Sequence, residues 1–486
     1  MHGQIFRQIA CKAVRRILCS VSVIYRKRYS LWEKVPAKID MLHGSLWDKL
    51  PRFALPVAAT AILEQLFNAS DIAIVGNFSS GDKTVAVAAV GANSPLIGLI
   101  LNLFIGIALG ANVVIANAIG RKDMRSVKKA VHTALIVAVL SGIVVTVIGE
   151  LVAGKVMGLL HVPDDVFPEA LLYLRIYLLG LPVIFLYNFE AAVFRSIGDT
   201  KIPLQALLIS GVLNVILNLF FVIVLHMTVN GVAIATVIAN GVSSLILLWK
   251  LLHTDKCVRV SRSDLCIDRQ SLLRIVQIGL PAGIQSAVFA MANIVIQSAI
   301  NSLGTTVIAA SSAAFNLEIL AYYVLNSFSQ ACTTFVGQNY GAGNMRRCRK
   351  VLGLCLAEDA IASAAAIGLI LISGKFLLSI FNHDPEVIQI GYVRLITIFS
   401  AYVFSMLYEV MSGYLRGFGI SLVPAILTTI GVCGIRFAWI YIVFQKSQTF
   451  QTIMLVYPVS LAATAVLIGI ALLVYRPSRR LEKKAV

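Results

Sequence analysis

The sequence predicts an all-α integral membrane protein, with twelve transmembrane helices in two six-helix bundles that are parallel repeats of one another. Three observations predict it. Hydrophobic residues make up 58% of the 486 residues and charged residues 13%, roughly half the charged share of a soluble domain. Mostly apolar runs of about 18 residues or more recur along nearly the whole chain, each long enough to cross a bilayer as a helix. The chain also repeats itself: Arg195-Ser-Ile-Gly198-Asp-Thr-Lys-Ile-Pro203 returns about 221 residues later as Arg416-Gly-Phe-Gly419-Ile-Ser-Leu-Val-Pro424. The same offset carries Gly120 onto Gly341, while Leu55-Pro56 answers Leu280-Pro281 and Tyr173-Leu174-Arg175 answers Tyr392-Val393-Arg394 at slightly different spacings.

Residues 1–40 carry Arg15, Arg16, Arg26, Lys27 and Arg28 around apolar patches too short and too charged to span. They lack the apolar core and small-residue cleavage site of a signal peptide, and read as a basic cytosolic extension. The alternative is a true start at Met41, where Met41-Leu-His-Gly-Ser-Leu-Trp47 opens the membrane pattern. A first lobe, 41–252, holds helices near 53–76, 85–117, 130–153, 169–194, 204–226 and 231–252. A polar, basic cytosolic linker follows at 253–271 (Lys256, Arg259, Arg262, Arg269). The second lobe, 272–475, holds helices near 272–300, 305–338, 351–376, 386–415, 424–445 and 452–475, before a basic tail at 476–486. An even number of spans per repeat makes both lobes enter from the same side, as parallel repeats do. Short turns at Ser79-Ser80-Gly81-Asp82, His161-Val162-Pro163-Asp164-Asp165 and Asn382-His383-Asp384-Pro385 close the opposite face.

The net charge of +18 would suggest nucleic acid in a soluble protein. Here about 34 of the 41 Lys and Arg fall in the tails and alternate loops, which is the positive-inside asymmetry. It predicts a multi-pass plasma-membrane protein with both termini cytoplasmic and no nucleic-acid partner. Neither a disulfide framework nor a zinc site is expected, because the eight cysteines lie in cytosolic segments or helices, with no extracellular pair and no CxxC. Gly149-Glu-Leu-Val-Ala-Gly154-Lys155-Val156 mimics a phosphate loop but lacks the Ser or Thr that would hold magnesium. With so little soluble mass the chain is read as a transporter of small molecules, not an enzyme, without a cofactor, driven by an ion gradient and monomeric in the lipid.

An ionised side chain in the bilayer costs at least ~2.5–3.5 kcal/mol, so intramembrane acids need a reason. The first helix carries Glu64, Asn68 and Asp71 at i, i+4 and i+7, on one face. Desolvation raises a sheltered carboxyl's pKa by up to ~3–5 units, into the range where it exchanges a proton. Asp71 is the expected coupling acid; the competing reading is a structural carboxyl bonded to its neighbours. Pro56 and Pro281, the latter expected to open helix seven, each remove a backbone hydrogen bond and are candidate hinges or static kinks. Glu409 is either the partner of Arg436 in helix eleven or a cavity acid for cationic guests. Phe67, Tyr187 and Tyr322 are candidate cavity aromatics or plain core. Glu190 with Arg195, and Glu358 and Asp359 with the basic cluster at 346–350, are expected to pair or snorkel.

Leu55-Pro56, then Leu66-Phe67-Asn68-Ala69-Ser70-Asp71-Ile72-Ala73-Ile74-Val75-Gly76, Gly110-Ala111-Asn112, the Arg195–Pro203 motif and Gly337-Gln338-Asn339-Tyr340-Gly341-Ala342-Gly343-Asn344 together resemble the multidrug and toxic compound extrusion family, in its DinF-like prokaryotic branch. The resemblance covers residues 41–475. It implies two six-helix lobes around a central cavity and efflux of organic, often cationic and amphipathic compounds against inward H+ or Na+. It implies that Asp71, Asn188, Asn214 and Thr236 form an ion-binding network across helices one, four, five and six. Many relatives carry a second acid where this chain has Asn218, and Gln where it has Glu64, whose charge could replace the lost one; this leaves H+ against Na+ open. Glu64, Asn68 and Asn218 join the candidate coupling residues, and Asn188, Asn214 and Asn218 have plain interhelical hydrogen bonding as the competing reading. The Na+-linked branch places a carboxylate on helix seven, and Gln285-Ser-Ala-Val-Phe-Ala290 has none. The alternative function is a lipid-linked precursor flippase of the same wider superfamily; such proteins usually have about fourteen spans and a basic cavity.

Overall fold

Every long apolar run becomes a helix in the computed structural model, which describes residues 39–79, 82–160, 162–254 and 257–478. The first lobe consists of α1 (Lys49–Phe78), α2 (Lys83–Gly120), α3 (Met124–Leu159), α4 (Phe167–Ser196), α5 (Lys201–Leu219) and α6 (Val229–Leu252). The second consists of α7 (Arg269–Asn301), α8 (Thr305–Gly341), α9 (Met345–Phe381), α10, α11 (Leu422–Phe444) and α12 (Phe450–Tyr475). Helix α10 comes in two arms, Pro385–Ser400 and Tyr402–Gly417, bent by 46° at Ala401; with both arms as one span the described residues hold 12 candidate crossings. No strand occurs among the described residues. Most of the 1–40 extension, the 479–486 end of the tail, and Ser80, Gly81 and His161 of the predicted turns lie outside the described residues.

Most helices reach a few residues beyond the apolar runs, because polar residues cap them. Asp82 accepts from the Thr84 and Val85 amides, Asp123 from Ser126, Asp268 from Ser271, Asn344 from Arg347, Asp384 from Glu386 and Thr449 from Thr452. Each supplies an acceptor to amides that have no partner within the helix. Three features depart from the sequence reading. Pro281 lies inside α7, not at its start, because α7 begins at Arg269. Helix α5 runs into a π segment, Phe220–Val224, and α11 contains two, Thr429–Gly434 and Trp439–Phe444. Both arms of the bent α10 are tied to one residue of α8: Arg394 Nη2 donates to Glu318 Oε2 at 3.1 Å, and the Tyr402 hydroxyl to the Glu318 carbonyl at 3.3 Å.

The repeat is visible in the backbone. Gly198 and Gly419, at matching points of the two motifs, have φ of 84° and 83°, and Lys122 and Gly343, at the same offset, have 58° and 74°. This left-handed conformation is routine only for glycine.

The lobes meet along α2 with α7 and along α1 and α2 with α8. At the end of the molecule that carries the basic loops, helix backbones touch through glycine. Gly106 faces Gly283, Gly110 faces Gly279 and the Ile275 carbonyl, and Gly120 and Gly341 face the Gln338 and Asn117 carbonyls of the opposite lobe. A Cβ at any of these sites would collide with backbone. Gln338 Nε2 donates to the Ser196 carbonyl at 2.6 Å, Thr334 to Asn112 at 3.2 Å and Arg195 to Gln330 at 3.3 Å, all across the same seam. The segment before α1 straddles it: Ile39 N donates to the Gly198 carbonyl at 3.2 Å, while Arg347 donates to the carbonyls of Met41, His43 and Gly44 at 3.1, 3.1 and 2.9 Å.

Candidate functional site

Helix α5 places Ser210, Asn214 and Asn218 at successive i+4 positions, and α6 does the same with Thr236 and Asn240, so each helix presents a polar stripe. Both stripes turn toward the acid face of α1. Asp71 is buried there, 5% exposed. One of its oxygens accepts from Asn218 Nδ2 at 2.6 Å and the other from Thr236 Oγ1 at 2.9 Å. Asn218 Nδ2 also reaches Asn214 Oδ1 at 3.2 Å, and Asn214 Nδ2 reaches Thr236 Oγ1 at 3.3 Å. The carboxylate is thus held by hydrogen bonds to a charged acceptor, each worth ~1.5–3 kcal/mol. Asn218 Oδ1 is buried with no donor among the described residues, so the cluster retains one uncommitted oxygen beside the acid.

The cluster opens on a cavity of about 120 Å³, large enough for several water molecules. Glu64, Phe67 and Asn68 line it from α1, Tyr187 and Asn188 from α4, Asn214 from α5 and Thr236 from α6. Glu64 makes no hydrogen bond or ion pair among the described residues, and the buried Tyr187 hydroxyl has no partner. Phe67 packs its ring directly on Gly211 of α5. Asn188 faces the cavity but stands outside the Asp71 cluster, because its amide donates to the Ile184 carbonyl one turn back at 2.9 Å. Sequence reasoning missed Tyr177, Ser210 and Asn240, which also line the cavity; the i+4 spacing of Ser210 and Asn240 with known members was the available signal.

The remaining candidates lie in the second lobe. Glu409 does not pair with Arg436; Arg416 of its own helix is 3.8 Å away, and the Tyr322 hydroxyl donates to it at 3.4 Å. The two residues are seven apart, two turns along one helix face, so the pair needs no reach between helices. Arg436 instead bonds Asn293 and Ser460. Glu190 does not pair with Arg195 either: it is fully buried and accepts from Ser244 Oγ at 2.9 Å, while Arg195 crosses to Gln330. Glu358 and Asp359 are buried and do not snorkel; Asp359 accepts from Ser363 at 2.8 Å, and neither Glu358 oxygen has a donor among the described residues. Pro56 sits within α1 near the lobe seam, its carbonyl accepting from Thr60 at 2.8 Å.

Comparison with known proteins agrees with this architecture. The MatE family profile matches residues 56–220 and 281–442, one segment in each lobe and together more than half the chain. The chain is 27% identical over 402 residues to the Bacillus subtilis protein named "Probable multidrug resistance protein YoeA", covering 81% of this chain and 86% of that one. It is 25% identical over 469 residues to "Probable multidrug resistance protein NorM" of Thermotoga maritima, covering 94% and 98%. Among solved structures it shares the fold, at TM-score 0.84 and 21% identity over 93% of this chain and 100% of that one, with the "outward-facing conformation of a multidrug resistance MATE family transporter of the MOP superfamily". A duplicated twelve-span fold, matched by one family across both lobes, gives the conclusion: this chain belongs to the MatE family of multi-pass membrane transporters.

Proposed function

We propose that the chain is a secondary antiporter that exports organic, often cationic and amphipathic compounds in exchange for H+ or Na+ moving inward. The observation that carries this is a buried acid, Asp71, caged by Asn214, Asn218 and Thr236 at the wall of a membrane-embedded cavity. A carboxylate at that depth has a cost that a static fold could avoid with an amide. An incoming cation neutralises Asp71 and is met by the uncommitted Asn218 oxygen; its departure restores the charge that attracts a cationic guest. Glu64 and Asn68, on the same face of α1, extend the polar wall, and the aromatic rings of Phe67 and Tyr187 offer apolar contact. Pro56 and Pro281 are the candidate hinges of α1 and α7. The multidrug resistance named for the relatives supports the substrate class.

The protein acts in the cell membrane as a single copy, basic loops and both termini toward the cytoplasm. The glycine seam then closes the cytoplasmic side and the lobes part on the other. Reconstituted vesicles loaded with a fluorescent organic cation test the reading under imposed pH or sodium gradients. Gradient-dependent movement in the exchange direction supports it, and identifies the ion by which gradient drives it. Movement that ignores both gradients refutes it.

A further inference from the structure

In the middle of α11 one short α-helical stretch, Ile435–Ala438, sits between the two π segments, a local irregularity often found at functional sites. It carries Arg436, which is 1% exposed. The guanidinium lies near the rings of Phe289, at 5.2 Å, and Tyr457, at 4.8 Å. Its Nη1 donates to Asn293 Oδ1 at 2.7 Å and its Nε to Ser460 Oγ at 3.4 Å. A guanidinium has five N–H donors and stays charged; these two hydrogen bonds, both to neutral acceptors, are the ones it makes among the described residues. The two other buried arginines of this lobe have carboxylates, Arg394 with Glu318 at 3.1 Å and Arg416 with Glu409 at 3.8 Å, and Arg436 has none among the described residues. A buried charge without a counter-charge is costly, so the missing anion is sought outside the protein.

An aromatic row leads from this arginine to the other lobe. Phe289 stacks on Tyr322 at 6.4 Å, Tyr322 neighbours Tyr323 at 6.4 Å, and the Tyr323 hydroxyl donates to Gln65 Oε1 of α1 at 3.4 Å, next to Glu64. Phe289, Asn293 and Tyr322 are half-buried, so this row is the accessible cover over Arg436. We propose that Arg436 is an anion subsite that takes the carboxylate or phosphate group of a transported guest. The guest's flat body lies along Phe289 and Tyr322, and its cationic end faces the acid side of α1. This rests on the export reading above and adds that zwitterionic guests are recognised at both ends. Phe289 moves aside to admit the anionic group, and Asn293 fixes the plane of the guanidinium.

A matched pair of dyes tests it: rhodamine 110, which carries a free carboxylate, and rhodamine 123, its methyl ester, which is a cation only. Gradient-driven transport of rhodamine 123 by the unmodified protein checks the export reading by itself. Arg436→Gln is expected to lower rhodamine 110 transport relative to rhodamine 123 by about 30-fold or more, as for one partner removed from a desolvated charge pair. In the unmodified protein, acetate or inorganic phosphate is expected to displace bound rhodamine 110 and leave rhodamine 123 in place, a measurement that does not depend on the variant folding. Equal loss of both dyes in a folded Arg436→Gln protein, or failure of both anions to discriminate between the dyes, overturns the proposal.

Discussion

The glycine seam between the lobes makes Gly279→Ala a sharp test of how the two halves move. An added Cβ at Gly279 falls 2.5 Å from Ile107 Cα and 2.8 Å from the Ile107 carbonyl oxygen on α2. Carbon atoms rest about 3.5–4.0 Å apart, so α2 and α7 must separate by roughly 1 Å to admit it. Overpacking of this kind costs ~1–3 kcal/mol. That cost falls on the arrangement with the basic end closed, because the same Cβ meets nothing once the helices part. The closed-to-open ratio therefore drops by roughly 5- to 150-fold. Spin labels at Arg125 and Lys350, exposed near the starts of α3 and α9 at the basic end of each lobe, in a background without native cysteines, report the separation by electron-electron resonance. The distance distribution is expected to gain a longer component in Gly279→Ala. A folded variant with an unchanged distribution would refute the seam as the closing element.

Two other perturbations probe the site and the linker. Thr236→Val removes one of the two hydrogen bonds to Asp71, a loss of ~1.5–3 kcal/mol at a charged acceptor; gradient-driven transport should fall by roughly 10- to 100-fold while circular dichroism stays unchanged. Hydrogen bonding to Lys129, then to the Ser271 amide and hydroxyl, holds the Asp268 carboxyl down at about 2, against an ordinary 3.8. Because this folded-state value is depressed, the contact's contribution is fully present above pH 3.8 and disappears as pH falls toward 2. The difference in melting temperature between the unmodified protein and Asp268→Asn should accordingly be constant near neutrality and shrink below pH 3.8; a difference independent of pH down to about 2 would contradict the assigned pairing.

Much of this molecule was legible because a bilayer restricts the solutions. Backbone groups in hydrocarbon must bond internally, so apolar length alone located the spans, and the repeated Arg-x-x-Gly motifs located equivalent turns that now share their φ. The Asp71 cluster was legible in part. Spacing put Glu64, Asn68 and Asp71 on one face, and family likeness brought Asn214 and Thr236 toward it. Asn218, expected among the coupling residues although it replaces an acid of many relatives, donates to Asp71. The second lobe was harder, since its charges are decided by contacts between helices far apart in sequence. Arg436 is paired with Asn293, 143 positions away, and no local spacing announces that. The bend at Ala401 escaped for the same reason: no proline or glycine marks it, and Glu318 on α8 anchors both arms. Hydropathy likewise cannot distinguish a buried Glu358 or Asp359 from one that reaches the surface.

Accumulation driven by a pH gradient, compared between the unmodified protein and Asp71→Asn, tests the central claim most directly. Asparagine keeps the size of the side chain and can still accept from Asn218, so the fold survives while the charge is lost. If one proton is exchanged for one monovalent cation, no net charge crosses the membrane, and each pH unit supplies ~1.4 kcal/mol, a gradient of about tenfold in the guest. The unmodified protein should approach that ratio in proteoliposomes, or do so under a sodium gradient if sodium is the ion, and Asp71→Asn should leave the guest at equal concentration on both sides. A folded Asp71→Asn protein that still concentrates the guest as steeply as the unmodified one would contradict the account.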